Sequence, residues 1–338
     1  MSSSSLNESS IAQADTRNSS SAASAPSISV VIPSHGRRGG LPRCLEALCA
    51  QTLPRDQFEV VVCDDGSVQP IAPEIAHFGD RLSLTVVRQP QGGPAAARNF
   101  GASHAAARYL AFTDDDCVPA RDWLERLLAR FDQRPGHLIG GAIVNLLPDD
   151  PYATGTQVIM DYVYDESTRN GAHYHYYSTT NFAVPADRFS ALGGFAVSFP
   201  RAAGEDYDLC ARWHHAGFPS EYASEAVVGH AHGHTLVSYL RQHFNYGRGL
   251  LRVRQREAER AGQGHLKVER AGFYLGLVRY PVTKTSHPLG RRLQYAVLVV
   301  LAQAATAVGA MRELAFGSRA PEREEQKVAP SAPVQRSR

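Results

Sequence analysis

Three aspartates in a row, Asp114-Asp115-Asp116, follow directly on the apolar run Tyr109-Leu110-Ala111-Phe112. Adjacent carboxylates beside a buried strand do not all ionise comfortably unless positive charge sits among them, and a hard divalent cation, which wants oxygen ligands, would supply it. In extended chain Asp114 and Asp116 share one face and Asp115 takes the other, so the outer two form a candidate two-oxygen grip. The same residues would equally serve as an acidic turn capping the helix that begins near Pro119. A second acidic pair, Glu205-Asp206, opens a stretch over 204–217 that reads as an amphipathic helix with a glycine stop. A carboxylate there is pre-oriented and partly desolvated, as a general base needs, although acidic residues are also ordinary at helix starts. Leu209, Cys210 and Trp213 form the apolar face of that helix, while Asp208 and Arg212, four apart, are expected to pair in solvent. The third cluster is His230, His232 and His234. Alternate histidines in extended chain lie on one face, where two could serve a metal, or they form a polar loop.

Elements that would carry these residues can be read from the apolar pattern. Ser27–Pro33 and Phe58–Cys63 are short continuous apolar runs, the mark of strands buried on both faces, and the second ends in Asp64-Asp65-Gly66-Ser67. A glycine-rich turn, 34–40, separates the first from a helix carrying Leu41, Cys44, Leu45 and Leu48. A weak helix over 73–78 leads to a third strand, 82–87. Gly92-Gly93-Pro94 then opens an alanine-rich helix, expected over 95–108, with Arg98 and Asn99 in its first turns. The acidic triplet ends the fourth strand. Strand and helix alternate four times with polar clusters at the strands' carboxyl ends, which predicts an α/β fold with a mostly parallel sheet. Ligands bind outside those ends, so Pro33-Ser34, Asp64-Asp65 and Asp114–Asp116 should converge on one crevice. No Gly-x-Gly-x-x-Gly follows strand one and no Walker lysine motif occurs, which excludes ordinary dinucleotide and P-loop sites. A helix over 122–131 and a strand near 138–144 follow. Residues 149–180 then show no clear period; their aromatics, Tyr152, Tyr162, Tyr164, His173, Tyr174, His175, Tyr176 and Tyr177, suit either sugar stacking or ordinary packing.

The chain has 338 residues, 43% of them hydrophobic, enough for one large domain or two. Its net charge of +2 decides nothing about partners, but 241–292 carries 12 Lys+Arg against 3 Asp+Glu. Such a segment favours an anionic partner: lipid headgroups, nucleic acid or a phosphorylated acceptor. The helix from Leu236 to about Arg260 reads as an arm with a basic face. Leu293–Met311 is uncharged, about 28 Å long as a helix and weakly hydrophobic for a membrane span; it reads as a single span or as a buried or interfacial helix, and the basic segment before it favours membrane contact either way. The five cysteines are odd in number, lack Cys-x-x-Cys spacing and read as buried apolar residues in a reducing compartment. Residues 1–26 lack an apolar h-region and read as a disordered leader, as does the tail 317–338.

Six motifs in order resemble family 2 glycosyltransferases, whose fold is the GT-A, Rossmann-like nucleotide-diphospho-sugar fold. They are Val30–Pro33, Val61–Ser67, Gly93–Asn99, Phe112–Asp116, Asn181 with Gly193–Phe195, and Gly204–Leu209; the resemblance covers about residues 27–250. Each is weak alone, and their order and spacing make the signal specific. The resemblance implies a domain over 27–235, with a donor half at 27–145 and an acceptor half at 146–235, then a helical extension over 236–316. It implies that Asp65, beside Asp64, accepts from the nucleotide base, typically uracil, that Pro33 and Ser34 line base and ribose, and that Arg98 approaches base or diphosphate. Asp114 and Asp116 stand at the Asp-x-Asp motif that holds Mg²⁺ or Mn²⁺, and His230 stands where relatives place a third ligand. Asp206 matches the catalytic base, supported by Glu205, of an inverting, metal-dependent transfer from a nucleotide-diphosphate sugar. The acceptor would be a hydroxyl on a glycan, lipid or small molecule, in cell-surface polysaccharide or glycolipid synthesis. The implied setting is cytoplasmic, at the inner face of an anionic plasma membrane, with no role for nucleic acid. Tyr246-Gly247-Arg248 resembles a further family element of unassigned role. Two rivals remain. A sugar-nucleotide pyrophosphorylase would want lysine in the 34–40 loop, which has arginine instead; an inactive sugar-nucleotide-binding protein would not need both Asp116 and Asp206.

Overall fold

The computed structural model describes residues 25–36, 39–169, 176–199, 203–262, 266 and 269–317. Arg37 and Arg38 of the first turn, His173, Tyr174 and His175 of the aromatic stretch, and most of the expected leader and tail lie outside the described residues.

The chain runs β1 (Ile28–Ser34), α1 (Leu41–Cys49), β2 (Phe58–Asp65), α2 (Ala72–Ile75), β3 (Leu84–Gln89), α3 (Pro94–Ala102), β4 (Tyr109–Phe112), β5 (Cys117–Pro119), α4 (Trp123–Gln133), β6 (Leu138–Asn145), α5 (Pro151–Arg169), β7 (Phe182–Pro185), α6 (Ala186–Ala191), α7 (Glu205–His215), β8 (Ser220–His230), α8 (Leu236–Arg260), α9 (Ala271–Lys284) and α10 (Leu289–Phe316). All eight strands form one sheet in the order β3-β2-β1-β4-β7-β6-β8-β5. The β1–β2, β2–β3 and β1–β4 pairs are parallel, as the apolar runs require. Beyond β4 the sheet turns mixed: β7 is antiparallel to β4 and β6, and β5 is antiparallel to β8. Every residue of β1 is buried, and two apolar cores, one on each face, hold the sheet between helices.

Two readings of the sequence change. The alanine-rich helix stops at Ala102, short of 108. Residues 151–169, without visible period, form the 19-residue helix α5. Its signal was hidden because it packs on more than one neighbour: Val158 and Tyr162 bury against Leu277 and Val299 of α9 and α10, while Tyr152 meets Tyr239 of α8. Tyr162 donates its hydroxyl to the Phe273 carbonyl at 2.7 Å, so that aromatic is a packing residue.

Some of the motifs prove to be fasteners. Asn181 is fully buried; its Nδ2 donates to the carbonyls of Ala142 and Ala226, both at 2.8 Å, and its Oδ1 accepts from Trp123 Nε1 at 2.9 Å. It thereby secures β6 and β8 where their register shifts between Gly141 and Ala142. Asn99 binds both the N–H and the carbonyl of Phe195, each at 2.8 Å. That joins α3 to the Gly193-Gly194-Phe195 turn, in which Gly194 has φ +70°.

Candidate active site

Loops at the carboxyl ends of β1, β2 and β4 do converge, and the acidic residues divide by partner. β4 ends at Phe112, so residues 113–116 are not extended strand and the alternation argument lapses there. Asp114 faces α3: Arg98 Nη2 donates to its Oδ1 at 2.7 Å, and Thr180 Oγ1 to its Oδ2 at 3.1 Å. Asp115 turns toward β1, accepting from Ser34 Oγ at 2.6 Å. Gly40 is required here, because a Cβ would run into the backbone of Asp115 and Asp116. Asp116 faces the histidines. Its Oδ1 lies 3.3 Å from His230 Nε2 and its Oδ2 lies 2.8 Å from His232 Nδ1. This meeting follows from strand register: β5 pairs with β8 so that Cys117 opposes His230. His234 lies against His232, ring centroids 4.4 Å apart; its backbone N–H donates to Asp150 at 2.9 Å, and burial holds its imidazole down at about 4.

Asp116, Cys117 and His230 bring one ligand atom each to within 4.8 Å of one another. Cys117 is fully buried and offers a soft sulfur, a poor match for a hard divalent ion. A carboxylate with one or two imidazoles fits a divalent ion of the Mn²⁺ kind better than an all-oxygen Mg²⁺ shell. Asp114, occupied by Arg98 and Thr180, lies outside that group.

The Arg98 guanidinium is central. It is 4% exposed and its second arm, Nη1, donates to Glu205 Oε1 at 3.1 Å. The expectation that it reaches base or diphosphate meets a side chain already committed to two carboxylates. Among the described residues Glu205 Oε2 and Arg98 Nε are buried without a hydrogen-bond partner. Asp206, the next residue, is half-buried, and its Oδ1 accepts from the Tyr207 N–H at 2.9 Å. Burial, then the negative charge of Glu205, pushes its carboxyl up to about 7. Such a group accepts a proton near neutral pH.

On the nucleotide side both acidic residues of the β2 turn are also engaged. Asp64 is 1% exposed; its Oδ1 accepts from Ser67 N at 2.9 Å, its Oδ2 from Ile71 N and Arg88. Burial would raise this carboxyl, but the hydrogen bonds from Ser67 and Ile71 hold it below the ordinary range. Asp65 accepts from Gln89 Nε2 and Gly92 N at Oδ1, and from Gly93 N at Oδ2. A carboxylate offers about four acceptor positions, which leaves Asp65 one at Oδ2 for a ring N–H. His35 Nδ1 sits 2.8 Å from the Asp65 carbonyl, a neighbour that the sequence did not single out.

Tyr246 acquires a place here. Burial around its hydroxyl, then the field of Asp206, holds its phenol above the ordinary range. Gln242 Nε2 donates to it at 2.7 Å. The following residues explain the rest of that motif: Gly247 packs on the Thr306 carbonyl of α10, Gly249 on the Ala203 carbonyl before α7, and Arg248 pairs with Glu313 at 2.8 Å.

The Asp208–Arg212 pair is not in solvent. Asp208 is fully buried and meets Arg212 at 2.7 Å, Arg260 at 2.8 Å and Arg256 at 3.5 Å, because α8 lies across α7. Arg252 also pairs with Glu313, and Arg254 with Glu269. Five arginines of the expected basic arm are thus consumed internally, which removes most of that helix's case for an anionic partner.

A mixed eight-stranded sheet with acidic residues gathered at the carboxyl ends of its parallel strands is the architecture of the GT-A fold. Residues 29–193, just under half of the chain, match the model for glycosyl transferase family 2, and that segment belongs to the family. It is 29% identical over 236 residues to the glycosyltransferase AglE of Haloferax volcanii, a match covering 68% of this chain and 74% of AglE. It is also 29% identical over 229 residues to the validoxylamine A glucosyltransferase of Streptomyces hygroscopicus subsp. jinggangensis, covering 60% of this chain but only 54% of that protein. Among solved structures, the mannosyltransferase PcManGT of Pyrobaculum calidifontis, in complex with GDP-Man and Mn²⁺, superposes with a TM-score of 0.55 at 18% identity, covering 87% of this chain and 76% of that one.

Proposed function

We propose that the enzyme is an inverting, metal-dependent glycosyltransferase that moves a sugar from a nucleoside-diphosphate sugar to a hydroxyl acceptor. The observation that carries this reading is the unbroken contact Asp114–Arg98–Glu205 leading to Asp206, a carboxyl tuned near neutrality at the start of α7. Residues 27–145 would hold the donor and 146–235 the acceptor. Asp65, with Asp64 shaping its turn, would take the base N–H at its remaining acceptor position, while the backbone of Pro33 and Ser34 lines the nucleoside. Asp114 would orient the ribose or diphosphate under the control of Arg98. Asp116 and His230 would hold a divalent ion, with His232 as a further ligand or as the residue that orients Asp116. Such an ion stabilises the negative charge that builds on a departing diphosphate.

Asp206 would take the proton of the acceptor hydroxyl as that oxygen attacks the anomeric carbon from the face opposite the diphosphate, which inverts the configuration. Glu205, held in place by Arg98, would supply the negative charge that raises the basicity of Asp206. The rings of Tyr207 and Tyr176, 4.6 Å apart, offer a wall for a sugar or other ring-bearing acceptor.

The test is a turnover and binding screen of the purified chain over UDP-, GDP- and dTDP-sugars with Mn²⁺ or Mg²⁺. The expected result is donor turnover that EDTA abolishes and Mn²⁺ restores better than Mg²⁺. Failure to bind or turn over any sugar nucleotide overturns the proposal.

A further inference from the structure

We propose that α10 seats the protein in the plane of an anionic bilayer surface through one exposed apolar face, without crossing the bilayer. The helix has two faces of opposite kind. On one, Tyr295, Leu298, Val299, Ala302, Gly309 and Glu313 are buried. On the other, Leu293, Val297, Val300, Leu301, Val308 and Met311 are each 38–59% exposed. Their spacing of one, three, four and seven residues places them on a single stripe about 27 Å long, with no charged residue in it. α9 adds exposed Tyr274 and Leu275 beside it. A contiguous apolar surface of this length on a soluble face requires an occupant.

The buried face excludes a simple span. Gly309 abuts the Phe244 carbonyl of α8, and Gly247 of α8 abuts the Thr306 carbonyl. Tyr239 Oη donates to the Leu298 carbonyl at 3.1 Å, and Thr306 Oγ1 to the His243 carbonyl at 3.2 Å. Glu313, 4% exposed, is paired with Arg248 and Arg252. Crossing would strip α10 from α8 or drag this charge cluster into hydrocarbon, and either is costly.

Charge chooses among occupants. From Arg270 to Arg312 there are six basic residues, Arg270, Arg279, Lys284, Arg291, Arg292 and Arg312, and no Asp or Glu; all but Arg292 are exposed. A second copy docked by the same face would set this basic rim against itself, since a two-fold interface is self-complementary. Anionic lipid headgroups neutralise it, and an apolar stripe with a basic rim is what an interfacial helix presents.

The experiment is vesicle flotation of the full chain on phosphatidylcholine alone and mixed with phosphatidylglycerol. Binding is expected on the anionic vesicles and release by alkaline carbonate. Val297→Asp with Val300→Asp should abolish flotation while thermal unfolding and donor turnover in solution stay at the parent level. Arg291→Glu and Arg312→Glu should each weaken binding to anionic vesicles about fivefold and leave the apolar component. Flotation unchanged in the Val variants, resistance to carbonate, or a dimer in vesicle-free solution that the Val variants dissociate would each overturn the proposal.

Discussion

Asp206 and Asp208 lie two residues apart on α7, and their carboxyls move in opposite directions. On the Asp206 side of the helix no cation pairs with the carboxylate among the described residues, and Arg98 is shared between Glu205 and Asp114. Burial and the charge of Glu205 then push it up to about 7. The Asp208 side lies under α8; burial would raise that carboxyl as well, but Arg212 and Arg260 hold it below the ordinary range. Access to a cation, more than burial, decides which carboxylate is a fixed charge and which can exchange protons. The arginines of α8 thereby stabilise the helix start that carries the reactive group without silencing that group.

The largest effect should come from Asp206→Asn: transfer falls about a thousandfold in a kcat assay while donor affinity, read by calorimetry, is retained. Because this carboxyl is raised above its unfolded value, its ionisation weakens the fold as pH climbs from about 4 through 7, so Asp206→Asn should melt no lower than the parent at pH 8. Undiminished transfer would remove the distinction between the two faces. Asp208→Asn should do the reverse, lowering unfolding free energy by about 3 kcal/mol in denaturant titrations because three half-buried arginines lose their one fully buried counter-charge. That loss should shrink below about pH 4, since a depressed carboxyl contributes stability above its unfolded pKa and loses it as pH falls through the folded one. Glu205→Gln should move the acid limb of the kcat/KM profile to lower pH by about one unit, as the charge that raises Asp206 disappears. Smallest, His232→Gln should weaken Mn²⁺ binding about tenfold with little change in folding, as expected for a residue that orients a ligand carboxylate.

Much of this was legible in the chain. The strands around 28–34 and 58–65 announce themselves because both faces are apolar, and the carboxyl-end rule then draws Ser34, Asp65 and the acidic triplet together. The triplet's inner geometry was not legible, since β4 stops at Phe112 and the turn sends each aspartate to a different partner. Asp208 misled for a related reason: Arg212 is visible at i+4, but Arg256 and Arg260 arrive from a helix some fifty residues on. The α5 helix was hidden by contact with several neighbours at once, which blurs any single stripe. Tyr246 was marked only by resemblance, and its position depends on glycines at 204, 247 and 249 that let α8 approach its neighbours' backbones.

The pairing of β5 with β8 has a consequence for biogenesis. Asp116 and His232 meet across 116 positions of sequence. The parallel half of the sheet, with its turn at Asp65, can be complete on the ribosome long before the histidines emerge. The ion grip therefore belongs to the last strand to insert, and the slow closure of so long a loop would time its appearance. A nascent chain halted before residue 230 would have its Asp65 turn without the Asp116–histidine cluster, so on the proposed reading competence would arrive in a single late step.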